Sequence, residues 1–290
     1  MNGAIIDLDG TVYRGGTLLP GATDGVEALR EAGFDLLFFS NNPTKDGVAY
    51  AEYLTSLGIP TAPEEACSSG VSTTEYLCEH HADDAILCIG SEGLSEQFRA
   101  AGLHLTETPA QADVLVASWT TQFDYGDLQD ALDAVDEETV FLGTDPDRTF
   151  PDQGGRLIPG SGAIIGSVAA VVGREPDAIL GKPSQAALDL ALDRLGVPPA
   201  SCLVVGDRLN TDLRMGERAG MTTVLVRTGV ADPGDVSESP VEPDYVIDSL
   251  GDIGDVLEEV DDVPEAVDDV SEEVDEVHEE VDDVSEEVDE

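Results

Sequence analysis

Lysine is almost missing from this chain: only Lys45 and Lys182 occur in 290 residues, beside eleven arginines, while 62 acidic residues bring the formal net charge to -49. A polyanion of this kind is repelled by nucleic acid and by anionic membranes, so neither is expected as a partner. Acidic excess with so little lysine is the composition expected of a protein soluble in molar salt, as in an extreme halophile. There the Debye length shrinks to about 3 Å and self-repulsion is screened. On that background each lysine carries information. CxxC pairs are also missing: Cys67, Cys78, Cys88 and Cys202 stand apart. Their spacing argues against a zinc site or a thiol redox motif and for a reducing cytosol. No apolar run is long enough to span a bilayer, the longest glycine-punctuated one being residues 163–173, and no targeting segment is evident. A cytoplasmic location is therefore expected. Aromatic residues are scarce at 5%, and the single tryptophan, Trp119, is expected to serve packing.

What is present is an alternation of strand-like and helix-like segments suited to a parallel sheet covered on both faces, in a chain long enough for two domains. Residues 4–11, Ala-Ile-Ile-Asp-Leu-Asp-Gly-Thr, are an apolar run that ends on two carboxylates, a glycine and a hydroxyl. Asp7 and Asp9 come where a buried strand gives way to a loop. Gly10 lets the backbone turn tightly enough for amides to face an anion. In a doubly wound sheet ligands sit at the carboxyl ends of the strands, although Asp-Gly after a strand is equally an ordinary turn signal. Residues 21–32 read as a helix closed by Gly33, and 34–40 as a second buried strand. That strand ends on Ser40-Asn41-Asn42-Pro43, which is either a neutral donor set for phosphate or a plain loop. A helix over 47–57 and a segment over 63–77, around Ser68-Ser69-Gly70, follow.

A different unit begins near Asp83, with strands expected over 85–90, 114–118 and 140–143 and helices over 92–101, 126–135 and 162–172. Its most polar loop is 143–151. The first pattern then resumes: Gly181-Lys182-Pro183 precedes a helix over 184–195 that Ser184 would cap. An apolar strand over 203–205 ends on Gly206-Asp207-Arg208-Leu209-Asn210-Thr211-Asp212, and 223–227 is another buried strand. The expected division is a core of residues 1–81 and 179–259, an inserted α/β unit of 82–178, and a tail of 260–290.

Four strand ends thus carry two carboxylates, a hydroxyl with amides, a lysine loop and two more carboxylates, a set suited to phosphoryl transfer to an aspartate. Mg²⁺ favours octahedral oxygen ligands, which Asp7, Asp207 and the backbone carbonyl of Asp9 could supply. Asp7 would attack phosphorus. Asp9 would protonate the leaving oxygen and then deprotonate the hydrolytic water. Lys182 and the hydroxyl of Ser40 would offset charge on the phosphoryl oxygens. Asp212 would orient Lys182 or a metal-bound water.

These four segments resemble, in the right order, the four motifs of the haloacid dehalogenase superfamily. The resemblance is closest to the subfamily that includes 4-nitrophenyl phosphatases, phosphoglycolate phosphatase and a nucleotide monophosphatase. There an α/β cap lies between the second and third motifs, and 141 residues separate Ser40 from Lys182 here. Phe123-x-Tyr125-x-x-Leu128, Gly143-Thr144-x-Pro146-Asp147 and Pro159-Gly160-x-Gly162 are similar to that cap. The likeness covers about residues 3 to 250. It implies a Rossmann-like doubly wound core with an inserted cap, and Asp7 as nucleophile with Asp9 as acid/base. It further implies Ser40 and Lys182 as phosphate ligands and a magnesium site of Asp7, Asp9 and Asp207. Asn41, Asn42, Thr120, Asp145 and Asp147 are expected to meet the substrate, a small phosphorylated metabolite of the sugar phosphate, phosphoglycolate or nucleotide monophosphate class. Two departures fall in the part facing the leaving group: Asp145 replaces a usual Asn, and Thr120 stands where many relatives have Asp. An acid at position 9 sets the chain apart from superfamily members that cleave carbon-halogen bonds or pump ions. The alternatives are a phospho-accepting signalling module, in which the acceptor follows the third strand rather than the first, and an inactive scaffold that acts through its tail.

The tail lies outside that resemblance. Valine recurs at 260, 263, 267, 270, 274, 277, 281, 284 and 288, a heptad seam in a segment with 17 acidic residues and no Lys or Arg. Charge of this density favours a solvated, disordered segment, whereas the seam favours a parallel helical association once salt screens the repulsion. Pro264 would separate the coil from the body. Cap and tail are thus the surfaces expected to support any homo-oligomer.

Overall fold

In the computed structural model the described residues are 2–152, 156–229 and 239–261. The chain runs through β1 (Asn2–Ile6), a short hairpin of β2 (Tyr13–Arg14) and β3 (Thr17–Leu18), β4 (Phe34–Ser40) and β5 (Ala66–Ser68). The inserted unit supplies β6 (Ala85–Ile89), β7 (His104–Leu105), β8 (Val114–Ala117), β9 (Val140–Gly143), the hairpin β10 (Thr149–Pro151) and β11 (Leu157–Pro159), and β12 (Ala178–Ile179). The chain returns as β13 (Cys202–Gly206), β14 (Thr222–Val226) and β15 (Tyr245–Ile247).

Six of these strands make one parallel sheet in the order β15-β14-β13-β1-β4-β5. Chain order reverses between β1 and β13, which opens a crevice beyond their carboxyl ends. Alternate residues of the central strands feed two separate cores. Ala4, Ile6, Leu36, Phe38, Leu203 and Val205 face one, and Ile5, Leu37, Phe39, Cys202 and Val204 face the other. With both faces covered, strands read as unbroken apolar runs rather than as alternation. Helices Ala22–Glu31, Gly47–Ser56 and Ile253–Asp261 cover the first face, and Gln185–Leu195 covers the second. Each fully buried Ile, Leu or Phe contributes about 1.5–3 kcal/mol, so the strand ends that carry the polar residues are anchored from both sides.

The inserted unit has its own five-stranded parallel sheet, β12-β9-β8-β6-β7. Helices Tyr125–Ala134 and Ser161–Val172 pack on one of its faces and Glu92–Ala100 on the other. Leu77, from the helix Ser69–His80 that follows β5, and Leu180, just before the lysine loop, belong to that second cluster. Apolar contact therefore continues between the two sheets. No helix among the described residues is long and apolar enough to cross a membrane.

Most expected elements occur within a residue or two of their expected bounds, and Ser184 does cap its helix by accepting from the Ala187 amide at 3.1 Å. Residues 63–77, expected as one segment, divide into a 3-10 turn Pro63–Glu65, strand β5 and the start of a helix. The division falls at Ser68, which accepts from Val71 N at 3.2 Å as the helix N-cap. The first valine of the tail, Val260, belongs to the last helix and packs against the core. The remaining heptads, from Val263 on, lie outside the described residues.

Candidate active site

The crevice between β1 and β13 collects the ends of three strands and the lysine loop. Asp7 leaves β1 with its amide bonded to the carbonyl of Val205 in β13 at 2.9 Å, which fixes where its side chain starts. Asp207 follows β13 and is fully buried. Gly10 makes this approach feasible: it has a φ of +95°, and a Cβ there would lie 2.5 Å from Asp207 Oδ2. A π turn, Leu209–Leu213, then folds Asp212 back beneath the strand ends. Carboxylate oxygens of Asp7, Asp207 and Asp212 all lie within 4.8 Å of one another.

Three buried carboxylates so close would repel one another without a cation. Lys182 supplies one. Its ammonium donates to Asp7 Oδ1 at 2.7 Å and to the Phe39 carbonyl at 2.5 Å, and lies 2.6 Å from Asp212 Oδ1. Burial alone would depress its pKa, but Asp212 and then Asp7 more than reverse the effect and hold it above the usual lysine range. Asp7 is pushed up by burial, against the pull of Lys182, with Asp212 and Asp207 adding to the push. An all-oxygen donor set of this charge suits Mg²⁺, which is held by few carboxylates and keeps other oxygen ligands. Asp9 stands apart from that cluster. It accepts a backbone hydrogen bond from Gly15, while its Oδ1 is buried with no hydrogen-bond partner among the described residues. Burial raises its pKa to about 6, against the opposing influence of the Gly15 hydrogen bond and of Arg208, Lys45 and Arg14.

The loop after β4 divides its labour. Ser40 Oγ accepts the Asn42 amide at 3.1 Å and lies 3.2 Å from the Tyr50 hydroxyl, which is also 3.1 Å from the Asn42 carbonyl. Asn42 Oδ1 closes its loop by accepting from Thr44 N and Thr44 Oγ1. Asn41, expected to meet substrate, lines the pocket, and its amide also engages the lysine loop. Oδ1 accepts Lys182 N–H at 2.9 Å and Nδ2 donates to Lys182 O at 3.0 Å. Gly181 passes so close that a Cβ would lie 2.8 Å from Asn41 Oδ1.

Above these strand ends the inserted unit closes a pocket of about 250 Å³. Asp7, Asp9, Ser40, Asn41, Asn42, Lys182 and Asp207 line its floor, and Asp145, Asp147 and Ser161 line its upper side. Asp145 is buried, accepts from Thr144 Oγ1 at 3.1 Å and Asp147 N at 3.2 Å, and has its pKa raised to about 8 by burial and by Asp147. Thr120 is not among the lining residues. Its hydroxyl accepts Gln122 N–H in a turn, and the neighbouring Trp119 faces the pocket instead. The indole donates to the Pro159 carbonyl at 3.2 Å and meets Phe150 edge-on at 5.8 Å, forming an apolar wall with Pro151 and Leu157. Trp119, Phe150, Arg14 and Arg208 were not assigned from the sequence. Arg208, which directly follows Asp207 and falls inside the fourth motif, carried the one signal that could have been followed.

A doubly wound sheet with three acids and a buried lysine at its switch point fits phosphoryl transfer, and comparison with known proteins places it in a class of hydrolases. Residues 4–104 match the family described as haloacid dehalogenase-like hydrolase, and residues 179–253 match the related HAD-hydrolase-like description. The chain belongs to this family. It is similar to the sugar-phosphatase AraL of Bacillus subtilis, with 32% identity over 88% of this chain and 93% of the relative. Among solved structures, the p-nitrophenyl phosphatase from Archaeoglobus fulgidus superposes with a TM-score of 0.82 at 34% identity, covering 88% of this chain and 98% of that one. The glycerol phosphate phosphatase from Mycobacterium tuberculosis, in complex with magnesium, gives 0.77 at 29% identity over 86% and 76%. Like these relatives, the chain is a phosphoric monoester hydrolase.

Proposed function

We propose that the protein is a magnesium-dependent phosphatase of small phosphorylated metabolites, acting through an aspartyl phosphate on Asp7. The observation that carries this reading is that Asp7 meets the Lys182 ammonium at 2.7 Å and has carboxylate oxygens of Asp207 and Asp212 within 4.8 Å, with Asp7, Lys182 and Asp207 lining one pocket. Asp7 and Asp207, with the carbonyl oxygen of Asp9, would hold Mg²⁺, which when bound offsets the charge of the phosphoryl oxygens. The carboxylate of Asp7 attacks phosphorus, and the bond from phosphorus to the ester oxygen breaks. Asp9, whose buried Oδ1 has no hydrogen-bond partner among the described residues and whose pKa of about 6 suits proton exchange near neutrality, gives its proton to the ester oxygen and releases the alcohol. It then takes a proton from the water that attacks phosphorus, the bond to Asp7 breaks, and inorganic phosphate leaves. Lys182 has an N–H already directed at Asp7 to meet the transferred group, and Ser40 donates its hydroxyl. Asp212 keeps Lys182 in place.

In the same reading residues 1–81 and 179–259 are the catalytic core and 82–178 the cap, with the helix Ile253–Asp261 carrying the core slightly into the tail, 260–290. The relatives point to sugar phosphates, p-nitrophenyl phosphate and glycerol phosphate as the first esters to try, with phosphoglycolate and nucleotide monophosphates beside them. Phosphate release from such a panel, with and without Mg²⁺ and across a salt series, tests the proposal. Repeated turnover that requires the metal is expected. A single stoichiometric phosphorylation would indicate a signalling module, and no reaction at all a scaffold.

A further inference from the structure

Asp147 belongs to the cap, yet both of its carboxylate oxygens reach groups of the core. Oδ2 lies 3.4 Å from Asn41 Nδ2, and Oδ1 lies 3.4 Å from the Arg208 guanidinium. These partners are the supports of two different arms of the catalytic centre. Asn41 holds the backbone of Lys182 by two hydrogen bonds, like a rung of a sheet. Arg208 directly follows Asp207 and also reaches the Thr149 carbonyl at 3.3 Å. The cap side is equally fixed: Asp147 N–H goes to Asp145 Oδ1, and Asp147 O accepts from Gly162 N at 2.9 Å. Both side chains of the ion pair are mostly buried, at 20% and 14% exposure, so water screens it only in part.

The oxygens of Asp147 are directed across to core groups, Asn41 and Arg208, whereas those of Asp145 accept from Thr144 and from the Asp147 amide within the cap. We propose that Asp147 is a positioning residue that docks the cap on the Lys182 arm and the Asp207 arm at once, so that the phosphoryl-transfer geometry is complete only when the cap is seated. The inference rests on the phosphatase reading above. It takes Asp147 out of substrate choice and makes it necessary for every turnover. Asp145, in the same loop, bonds within the cap and lines the pocket from that side.

Asp147→Asn tests this, because it keeps the volume and an acceptor for Asn41 but removes the charge opposite Arg208. A pair of this kind couples by an amount equivalent to about a tenfold change in rate. The kcat is therefore expected to fall about tenfold on acetyl phosphate and on p-nitrophenyl phosphate alike, with little change in either KM. Arg208→Gln should do the same, and the double variant should be no worse than either single one. Asp145→Asn should instead alter the ratio between the two esters. A protein in which Asp147→Asn loses p-nitrophenyl phosphate but keeps acetyl phosphate would show Asp147 to be a leaving-group ligand and overturn the proposal, as would additive losses in the double variant. If the unmodified enzyme hydrolyses neither ester, the phosphatase reading fails instead. The same four proteins then decide the docking contact by their thermal midpoints: coupling between positions 147 and 208 supports it, and independent effects overturn it.

Discussion

Lys182→Met isolates the electrostatic problem on which the site is built. Lys182 is 1% exposed, and its ammonium stands between Asp7 and Asp212. Methionine retains an unbranched side chain of similar length but leaves those two carboxylates buried beside Asp207 without the ammonium that touches them. Removing one partner of a buried ion pair costs about 3–5 kcal/mol, against a total stability on the order of 5–15 kcal/mol. For a chain of this size that lowers the thermal midpoint by on the order of 10 °C. The loss should shrink at acidic pH. Without the ammonium, Asp7 keeps its burial and its carboxylate neighbours and holds a proton more tightly in the fold than in the unfolded chain, so stability falls as pH rises above the ordinary carboxylate range. Magnesium should also restore part of it, since an ion at 100 times its dissociation constant adds about 2.7 kcal/mol. The assay is thermal unfolding of wild type and variant in EDTA, at neutral and acidic pH, and again with Mg²⁺. A variant with the wild-type midpoint at neutral pH in EDTA would refute the claim that Lys182 neutralises this cluster.

Asp7→Asn should abolish turnover in a folded protein. Asp9→Asn should slow it by roughly 10²- to 10⁴-fold. Any substantial activity in Asp7→Asn, with circular dichroism unchanged, removes the covalent mechanism. Asp145, with its pKa raised to about 8, holds a proton in the fold that it gives up on unfolding, so its contribution to stability should decline from the ordinary carboxylate range up to about pH 8 and stay level above it. Asp145→Asn should flatten that part of the stability profile, and an unchanged profile would place the raised pKa elsewhere. Truncation after Asp261, which spares the core contact of Val260, should leave phosphatase activity unchanged. Circular dichroism and sedimentation of the isolated tail over a salt series should show a coil at low salt, and helix at high salt only if the valine seam pairs.

The sequence by itself was enough for the fold class and for the residues on the pocket floor. Buried parallel strands write themselves as apolar runs, and the polar residues that end them, Asp7, Ser40, Asp207 and Asp212, are local features of strand and turn. Lys182 stood out because lysine is so rare here. Tertiary structure alone decided what depends on two distant segments meeting. Asn41 reads as a loop amide until Lys182, far along the chain, is seen to occupy it. Trp119 reads as packing until the β10–β11 hairpin carries Phe150 to its edge. Thr120, one position away, faces a turn instead, with its hydroxyl accepting from the Gln122 amide. Asp145 and Asp147 look alike in sequence, but one is bonded within its own loop and the other is drawn across to Arg208 of the core. Periodicity and turn chemistry act over a few residues and are legible in order. Charge pairing and burial depend on distance in space, which the order of residues does not contain.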